Sequence, residues 1–197
     1  MQFQRSITLW LILACVLVFV LQTAIPQFTD FFSFTPALAL SEPWTFVTSI
    51  FLHSTTDITH ILFNMIALFF FGIYLEQRIS KTSYVLVFFL AGIIGNILFM
   101  ITEPNSMVQG FGASGAIFGV MGALTVLEPR MTVFVSGIPM PMFVAAIVWF
   151  FLNFFQLLGP DIGYGAHIGG LLFGIAAGFY FRSQLSQRNA FVFKQTY

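Results

Sequence analysis

Long runs of apolar residues are the feature that most constrains the fold of this chain. A helix needs about 20 apolar residues to cross the hydrocarbon core of a bilayer. With 58% hydrophobic and only 7% charged residues, the chain differs from soluble domains. The runs are continuous rather than alternating, which favours helices over barrel strands. The sequence therefore predicts one all-α domain, 1–197, that crosses the membrane six times, at residues 7–25, 60–75, 83–101, 114–127, 142–158 and 164–181.

The charged residues predict the orientation of these spans. Lysine and arginine resist translocation, so they mark the cytoplasmic side. All the basic residues precede the first span, follow the last, or lie between spans 2 and 3 or spans 4 and 5, so we expect cytoplasmic N- and C-termini. The basic residues are Arg5, Arg78, Lys81, Arg130, Arg182, Arg188 and Lys194, and the acidic residues of the opposite side are Asp30, Glu42, Asp57, Glu103 and Asp161.

Four polar residues stand at the starts of the even-numbered spans, where apolar residues are expected. His60 and Asn64 begin span 2, Ser114 begins span 4, and His167 lies in the first turn of span 6. An unpaired polar group is costly in hydrocarbon, so such residues indicate a function or a buried partner. Because even-numbered spans start at the external face, we expect all four side chains at one depth near that face.

These residue types suit acyl transfer. A serine hydroxyl is a weak nucleophile until a base removes its proton, and histidine is the natural base near neutral pH. We predict Ser114 as nucleophile and His167 as base, with an oxyanion site formed by His60, Asn64 and the Ser114 backbone N–H. No carboxylate is placed to complete a triad, so the prediction is a dyad. Asp57 is predicted to cap or anchor the second span.

The fourth span is short, and its glycines predict close packing against the sixth. Its 14 residues cover only about 21 Å as a helix, so loop 102–113 should dip into the membrane and carry Ser114 below the surface, into a water-filled cavity. Small residues every fourth position favour direct helix contact. They are Ala166, Gly170, Gly174 and Gly178 in span 6, facing Gly115, Gly119 and Gly122 in span 4; Phe118 is predicted to stack on the His167 ring.

Three motifs together resemble the rhomboid intramembrane proteases. They are His60-Ile61-Leu62-Phe63-Asn64, Gly112-Ala113-Ser114-Gly115 and Ala166-His167-Ile168-Gly169-Gly170-Leu171-Leu172-Phe173-Gly174. The resemblance implies a rhomboid-like bundle, the same serine and histidine roles, an oxyanion-stabilising His60 and Asn64, and a membrane-dipping first external loop. The chain departs from the family at Trp44-Thr45, where many members have Trp-Arg.

The resemblance also implies the kind of partner. Expected substrates are transmembrane proteins with locally unstable helices, because a helix must unwind before its carbonyls can be attacked. Aromatic residues of span 5 suggest a movable wall for substrate access, or bulk facing lipid: Trp149, Phe150, Phe151, Phe154 and Phe155. Membrane lipids are expected contacts, and we predict no nucleic acid, cofactor or metal. The lack of a targeting extension favours a prokaryotic cell (inner) membrane.

Other interpretations stay open at this stage. The main rivals are a small transporter or channel, whose path polar residues at one depth would line, and a catalytically silent relative that binds membrane proteins. Ser114 alone could be a packing residue, and His60 and Asn64 could bond each other. His53 is assigned to the first loop. Three amides are interpreted as interhelical hydrogen-bonding residues: Asn96, Asn153 and Gln156.

Overall fold

The fold is a mostly helical bundle. A computed structural model describes residues 6–155, 157 and 163–195, with side chains as far as residue 186. Its helices are α1 (Ile7–Ala24), α2 (Phe28–Phe32), α3 (Thr45–Thr48), α4 (Ile58–Ala67), α5 (Ile73–Glu76), α6 (Lys81–Thr102), α7 (Ser114–Leu127), α8 (Met142–Phe154) and α9 (Tyr164–Gln195). Short 3₁₀ turns occur at Pro36–Leu38 and Ser49–Phe51. A π-helical segment, Leu68–Gly72, joins α4 to α5, so one continuous helix runs from Ile58 to Glu76.

Four helical segments are long and apolar enough to cross a membrane. They are Ile7–Ala24, Ile58–Glu76, Lys81–Thr102 and Tyr164–Ser186. The helices α7 and α8 are apolar but shorter, with 14 and 13 residues. The short fourth helix is therefore as predicted, whereas the described fifth helix ends at Phe154 rather than near Leu158, which lies outside the described residues. Six crossings thus remain a prediction.

Other boundaries differ from the sequence prediction for physical reasons. The second span begins at Ile58, because the Asp57 carboxylate accepts hydrogen bonds from the backbone N–H and hydroxyl of Thr59, at 2.9 and 2.6 Å. This confirms Asp57 as the helix N-cap. The last helix continues to Gln195 instead of ending at residue 181, since the polar segment that follows contains few residues that break a helix.

A β-hairpin between α7 and α8 is an addition to the predicted all-α fold. Strands β1 (Thr132–Val135) and β2 (Ile138–Pro141) pair antiparallel. Ser136 and Gly137 both have positive φ, 50° and 81°, as the tight turns of two-residue hairpins require. The Ser-Gly pair between two β-branched or apolar segments was the available sequence signal.

Polar contacts group the helix ends at two opposite ends of the bundle. At one end, Glu76 accepts hydrogen bonds from the Ser6 hydroxyl and the Thr8 backbone, at 2.8 and 3.1 Å, joining the start of α1 to the end of α5. Arg78 pairs there with Glu128, which follows α7, at 2.6 Å. The starts of α4, α7 and α9 lie at the other end. This alternation is what an up-and-down bundle requires.

The first loop is fixed to the bundle by buried amides. Gln22 of α1 donates to the His53 carbonyl and accepts from its N–H, at 3.0 and 2.9 Å. Asn96 of α6 donates to the Phe46 carbonyl and the Ser49 hydroxyl, both at 3.0 Å. Asn96 therefore holds the loop rather than another long helix. The loop in turn forms one side of the cavity that contains Ser114.

Candidate active site

The starts of three helices bring Ser114 and His167 together. Ser114 is the first residue of α7, and His167 lies in the first turn of α9. The Ser114 Oγ and His167 Nε2 atoms are 2.7 Å apart, which is hydrogen-bonding distance. His60, in the first turn of α4, lies at the same end of the bundle. His60, Ser114 and His167 therefore line one region of the bundle, as the charge pattern predicts.

Backbone contact between α7 and α9 sets the distance between the two residues. A Cβ atom on Gly170 would overlap the carbonyl oxygen of Gly115, and one on Gly174 would overlap that of Gly119. A Cβ atom on Gly115 would lie 3.3 Å from the Ala166 carbonyl oxygen. The predicted packing of small residues is confirmed. Because no side chain separates the helices, a hydroxyl and an imidazole at their starts can reach each other.

Gly112 shapes the loop just before Ser114. Its φ of +133° lies in a region that residues with a Cβ rarely adopt. A Cβ atom there would lie 2.9 Å from His60 Nε2, and the Gly112 N–H donates to the Ser49 carbonyl at 2.9 Å. Glycine therefore allows the backbone to pass close to the His60 ring, which brings that ring next to Ser114.

Phe118 and Trp149 enclose one side of the His167 ring. Phe118 stacks on the imidazole with ring centroids 4.6 Å apart and an interplanar angle of 14°. The Trp149 indole packs edge-on against Phe118, with centroids 6.4 Å apart. Stacking limits how far the imidazole ring can tilt. It limits rotation of the ring within its own plane much less. The orientation of its two nitrogens must come from hydrogen bonds.

The hydrogen bonds of His60 assign its protonated nitrogen. The Ser54 backbone N–H donates to His60 Nδ1 at 3.3 Å, so a neutral ring carries its proton on Nε2, the atom that faces Gly112. Asn64 lies one turn further along α4 and uses its amide to donate to the His60 carbonyl at 2.8 Å. The amide has a second N–H for another partner. A donor pair on one face of α4 thus lines the cavity beside Ser114.

Asn153, which the sequence predicts only as an interhelical hydrogen-bonding residue, contacts His167 in the site. Its Oδ1 atom is 2.7 Å from His167 Nδ1, and its Nδ2 atom donates to the Trp149 carbonyl at the same distance. Asn153 is 1% exposed. The available sequence signal was an amide within an apolar helix, because such a group needs a hydrogen-bond partner. No residue spacing relates it to His167, which lies on a different helix.

The site opens into a cavity of about 1300 Å³. Polar groups at its wall include Ser54, Asp57, Asn64, Glu103 and the Ser114–His167 pair. Hydrogen bonds from Thr59 lower the pKa of the exposed Asp57 carboxyl, so it is an anion at neutral pH. Within the described residues, no group of three or more His, Cys, Asp or Glu side chains could hold a metal ion. Both polar and apolar side chains line the cavity, and its volume is large enough to hold water and a bound ligand.

Other residues named from the sequence have different neighbours. Trp44 stacks on Phe31, and Thr45 is fully buried with its hydroxyl donating to the Glu42 carbonyl at 2.6 Å. Three of the aromatic residues in and after α8 are about half exposed on the outside of the bundle: Phe151, Phe154 and Phe155. Arg5, Gln156 and Asp161 lie outside the described residues, as do the side chains of Arg188 and Lys194.

Comparison with known proteins identifies the family. The model of the Rhomboid domain matches residues 40–184. The chain is 34% identical over 142 residues to the putative rhomboid protease YdcA of Bacillus subtilis, covering 72% of this chain and 67% of that protein. It is 28% identical over 177 residues to the rhomboid protease GlpG of Salmonella newport, covering 86% of this chain and 61% of that protein.

A third relative comes from Toxoplasma gondii. Rhomboid-like protease 3 of Toxoplasma gondii is 28% identical over 158 residues, which cover 78% of this chain and 57% of that protein. The matches thus span a little more than half to two thirds of the relatives' own lengths. The matched residues include all three motifs around His60, Ser114 and His167. The chain is an integral membrane protein that belongs to the rhomboid family.

Proposed function

We propose that the protein is an intramembrane serine endopeptidase in which Ser114 and His167 form the catalytic dyad. The observation that carries the proposal is the 2.7 Å hydrogen bond between Ser114 Oγ and His167 Nε2 at the wall of the cavity. A serine is activated when a base accepts its proton along such a bond. Relatives named as rhomboid proteases add independent support.

In the first half of the reaction, Ser114 Oγ attacks the carbonyl carbon of the scissile peptide bond. His167 Nε2 accepts the hydroxyl proton, and the carbonyl oxygen becomes an anion in the tetrahedral intermediate. When the intermediate collapses, the C–N bond breaks and the imidazolium returns its proton to the departing amine. The products of this half are an acyl-enzyme on Ser114 and a free amino terminus.

The oxyanion would be stabilised by donors that line the cavity. The proposed donors are His60 Nε2–H, the Ser114 backbone N–H and the Asn64 amide, which lies on the same helical face as His60. Preorganised donors of this kind act strongly in a site that excludes bulk water. Gly112 keeps the path between His60 and Ser114 open.

In the second half, a water molecule replaces the amine. His167 Nε2 accepts a proton from the water as its oxygen attacks the acyl carbon, and Ser114 leaves with the proton returned by the imidazolium. The released product carries a new carboxyl terminus. Water can reach the site because polar side chains line the cavity up to Asp57 and Glu103.

The proposed substrates are other membrane proteins with locally unstable transmembrane helices. A cavity beside lipid receives a peptide only after its helix has unwound, so residues with weak helix propensity near the external boundary should favour cleavage. We further propose six crossings in one domain, cytoplasmic termini, a site open to the external face, and α8 as the wall beside which substrates enter. A prokaryotic inner membrane fits this arrangement.

The rival functions lack a supporting observation. A transporter would use polar residues along a path, whereas here they converge on one hydroxyl and one imidazole at one end of the bundle. A catalytically silent binder has no need of a hydrogen-bonded serine and histidine. Neither a transporter nor a silent binder accounts for the Ser114–His167 bond.

The decisive experiment compares the unaltered protein with Ser114→Ala. A serine-directed fluorophosphonate probe should label the unaltered protein in detergent or liposomes, and labelling should disappear in Ser114→Ala. Cleavage of a reconstituted transmembrane substrate should fall at least about 10³-fold in Ser114→Ala and in His167→Ala, since the residual rate comes from binding and the oxyanion site alone. Ser106→Ala, in the loop before α7, is the matched serine control. Unchanged cleavage by folded Ser114→Ala would refute the proposal.

A further inference from the structure

A buried amide on α8 contacts the nitrogen of His167 that faces away from Ser114. Asn153 Oδ1 lies 2.7 Å from His167 Nδ1, while His167 Nε2 lies 2.7 Å from Ser114 Oγ. Asn153 is 1% exposed, so water does not compete for its amide. The three side chains therefore form one continuous hydrogen-bonded row that joins α7, α9 and α8.

A second hydrogen bond fixes which atom of the amide faces the ring. Asn153 Nδ2 donates to the Trp149 carbonyl oxygen at 2.7 Å, one turn earlier in the same helix. A carbonyl oxygen can only accept, so the amide nitrogen must lie on that side and Oδ1 must face His167. Because Oδ1 is also only an acceptor, the neutral imidazole must carry its hydrogen on Nδ1 and leave Nε2 with a lone pair.

We propose that Asn153 is a positioning residue that holds His167 in the tautomer needed to accept the Ser114 proton. The inference rests on the proposed function and completes a Ser114–His167–Asn153 row. In the other tautomer, Nε2 would carry the hydrogen and could only donate to the Ser114 oxygen, so it could not activate the hydroxyl. Asn153 takes the place that a carboxylate has in a triad, without bringing a second charge into the membrane.

The same contact serves the protonated form of the base. When His167 takes the Ser114 proton, both ring nitrogens carry hydrogens and both need acceptors. Asn153 Oδ1 remains the acceptor for Nδ1, so the ring does not have to move between steps. Phe118 stacking restrains the plane of the ring but cannot distinguish its two nitrogens. His60 of α4, which also lines the cavity, offers Nε2–H as a donor rather than an acceptor.

The test compares two substitutions of Asn153 with one of a second buried amide. Asn153→Leu keeps approximate size and removes the acceptor, whereas Asn153→Asp keeps an oxygen acceptor at the same distance along the side chain. Asn96→Leu is the matched control, because Asn96 is also a buried amide but bonds the first loop rather than His167. Each variant is purified as the full chain and compared at equal amounts of folded protein.

We expect Asn153→Leu to lower kcat by roughly 10- to 100-fold with little change in KM, since the base is misoriented while substrate binding is retained. Asn153→Asp should keep kcat within about tenfold of the unaltered protein because it can still accept the Nδ1 hydrogen. Asn96→Leu should lower thermal stability without a selective loss of kcat in the folded fraction. A purely structural role for Asn153 would give the same pattern for both leucine variants.

A direct readout is the nitrogen-15 spectrum of the imidazoles. The His167 signals, assigned by their loss in His167→Gln, should show a protonated Nδ1 and a bare Nε2 in the unaltered protein and in Ser114→Ala. Asn153→Leu should shift population toward the tautomer with a hydrogen on Nε2. Unchanged kcat and an unchanged tautomer in Asn153→Leu would overturn the inference. That outcome would leave the proposed function intact, which fails only if Ser114→Ala remains active.

Discussion

The three histidines of the chain have three different sets of partners. His167 lies between a hydroxyl and an amide oxygen, and His60 accepts a backbone N–H. His53, in the first loop outside the spanning helices, is fully buried, with Nδ1 3.3 Å from the Phe51 carbonyl. Its ring packs edge-on to His60 with centroids 5.3 Å apart. Burial, aided by the nearby His60, lowers the pKa of His53 to about 4.

This lowered pKa predicts that His53 makes the fold sensitive to acid. The pKa rises to about 6.5 when the protein unfolds, so the unfolded state binds the proton more tightly. The stabilisation is complete above pH 6.5 and is lost as pH falls toward 4, by about 3 kcal/mol at most. The Tm of the unaltered protein should therefore drop between pH 7 and 4.5, and His53→Leu should show a smaller drop. Equal drops in both proteins would contradict the prediction.

For single residues, the sequence predicts which residues belong to the site better than it predicts their contacts. Ser114, His167 and His60 stand in recognisable motifs at the starts of their helices, and glycines flank the first two closely in the sequence. Asn153 has no such constraint in its own helix, and only the packing of α8 against α9 brings it to His167. An amide in an apolar helix predicts a hydrogen-bond partner, but the sequence does not identify which residue that partner is.

Among the elements, the contact between α7 and α9 is the central one. Most residues of α7 are buried, and α9 crosses it with glycine against backbone at Gly170 and Gly174. The sequence predicts this contact well, because small residues at four-residue spacing have few other uses in a membrane helix. The hairpin was not predicted because its strands are short and lie next to long apolar runs. The end of α9 was not predicted because the sequence becomes polar after residue 181, although it still favours a helix.

Side chains added to this contact should separate the helices. Gly174→Val places methyl groups against the Gly119 carbonyl of α7, which should cost about 3 kcal/mol or more. Ala176→Val puts the same side chain on the exposed face of α9 and should leave stability nearly unchanged. Tm and fluorophosphonate labelling of both variants at pH 7 provide the comparison. A Gly174→Val protein as stable and reactive as the Ala176→Val control would show that the backbones need not touch.

For the whole molecule, the positions of the helix ends agree with the charge pattern. The start of α1 meets the end of α5 through Glu76, and Arg78 meets Glu128 at the same end. His60, Ser114 and His167 share the opposite end. The alternation of apolar runs and basic loops predicts this arrangement. Each apolar run is expected to cross the membrane, and each basic loop is expected to stay on the cytoplasmic side. Depth in the membrane is less predictable, since α7 and α8 are too short to define it alone.

The proposed orientation predicts which end of the bundle reacts with reagents outside the cell. In a Cys15→Ala background, Ser41→Cys introduces a thiol in the exposed first loop and Ser136→Cys introduces one at the hairpin turn. A membrane-impermeant maleimide should label Ser41→Cys in intact cells, and Ser136→Cys only after lysis. Labelling of Ser136→Cys alone in intact cells would reverse the proposed orientation.

The glycine contacts between α7 and α9 have a consequence for the robustness of the Ser114–His167 pair. A separation fixed by touching main chains does not depend on rotamers or on the thickness of the surrounding bilayer. Extraction into a mild detergent, or transfer to a thinner lipid film, should leave Ser114 and His167 bonded while altering the proposed approach of substrates across α8. Under the proposed function, the environment would then change which substrates are cleaved and how fast they arrive, while the Ser114–His167 pair stays unaffected.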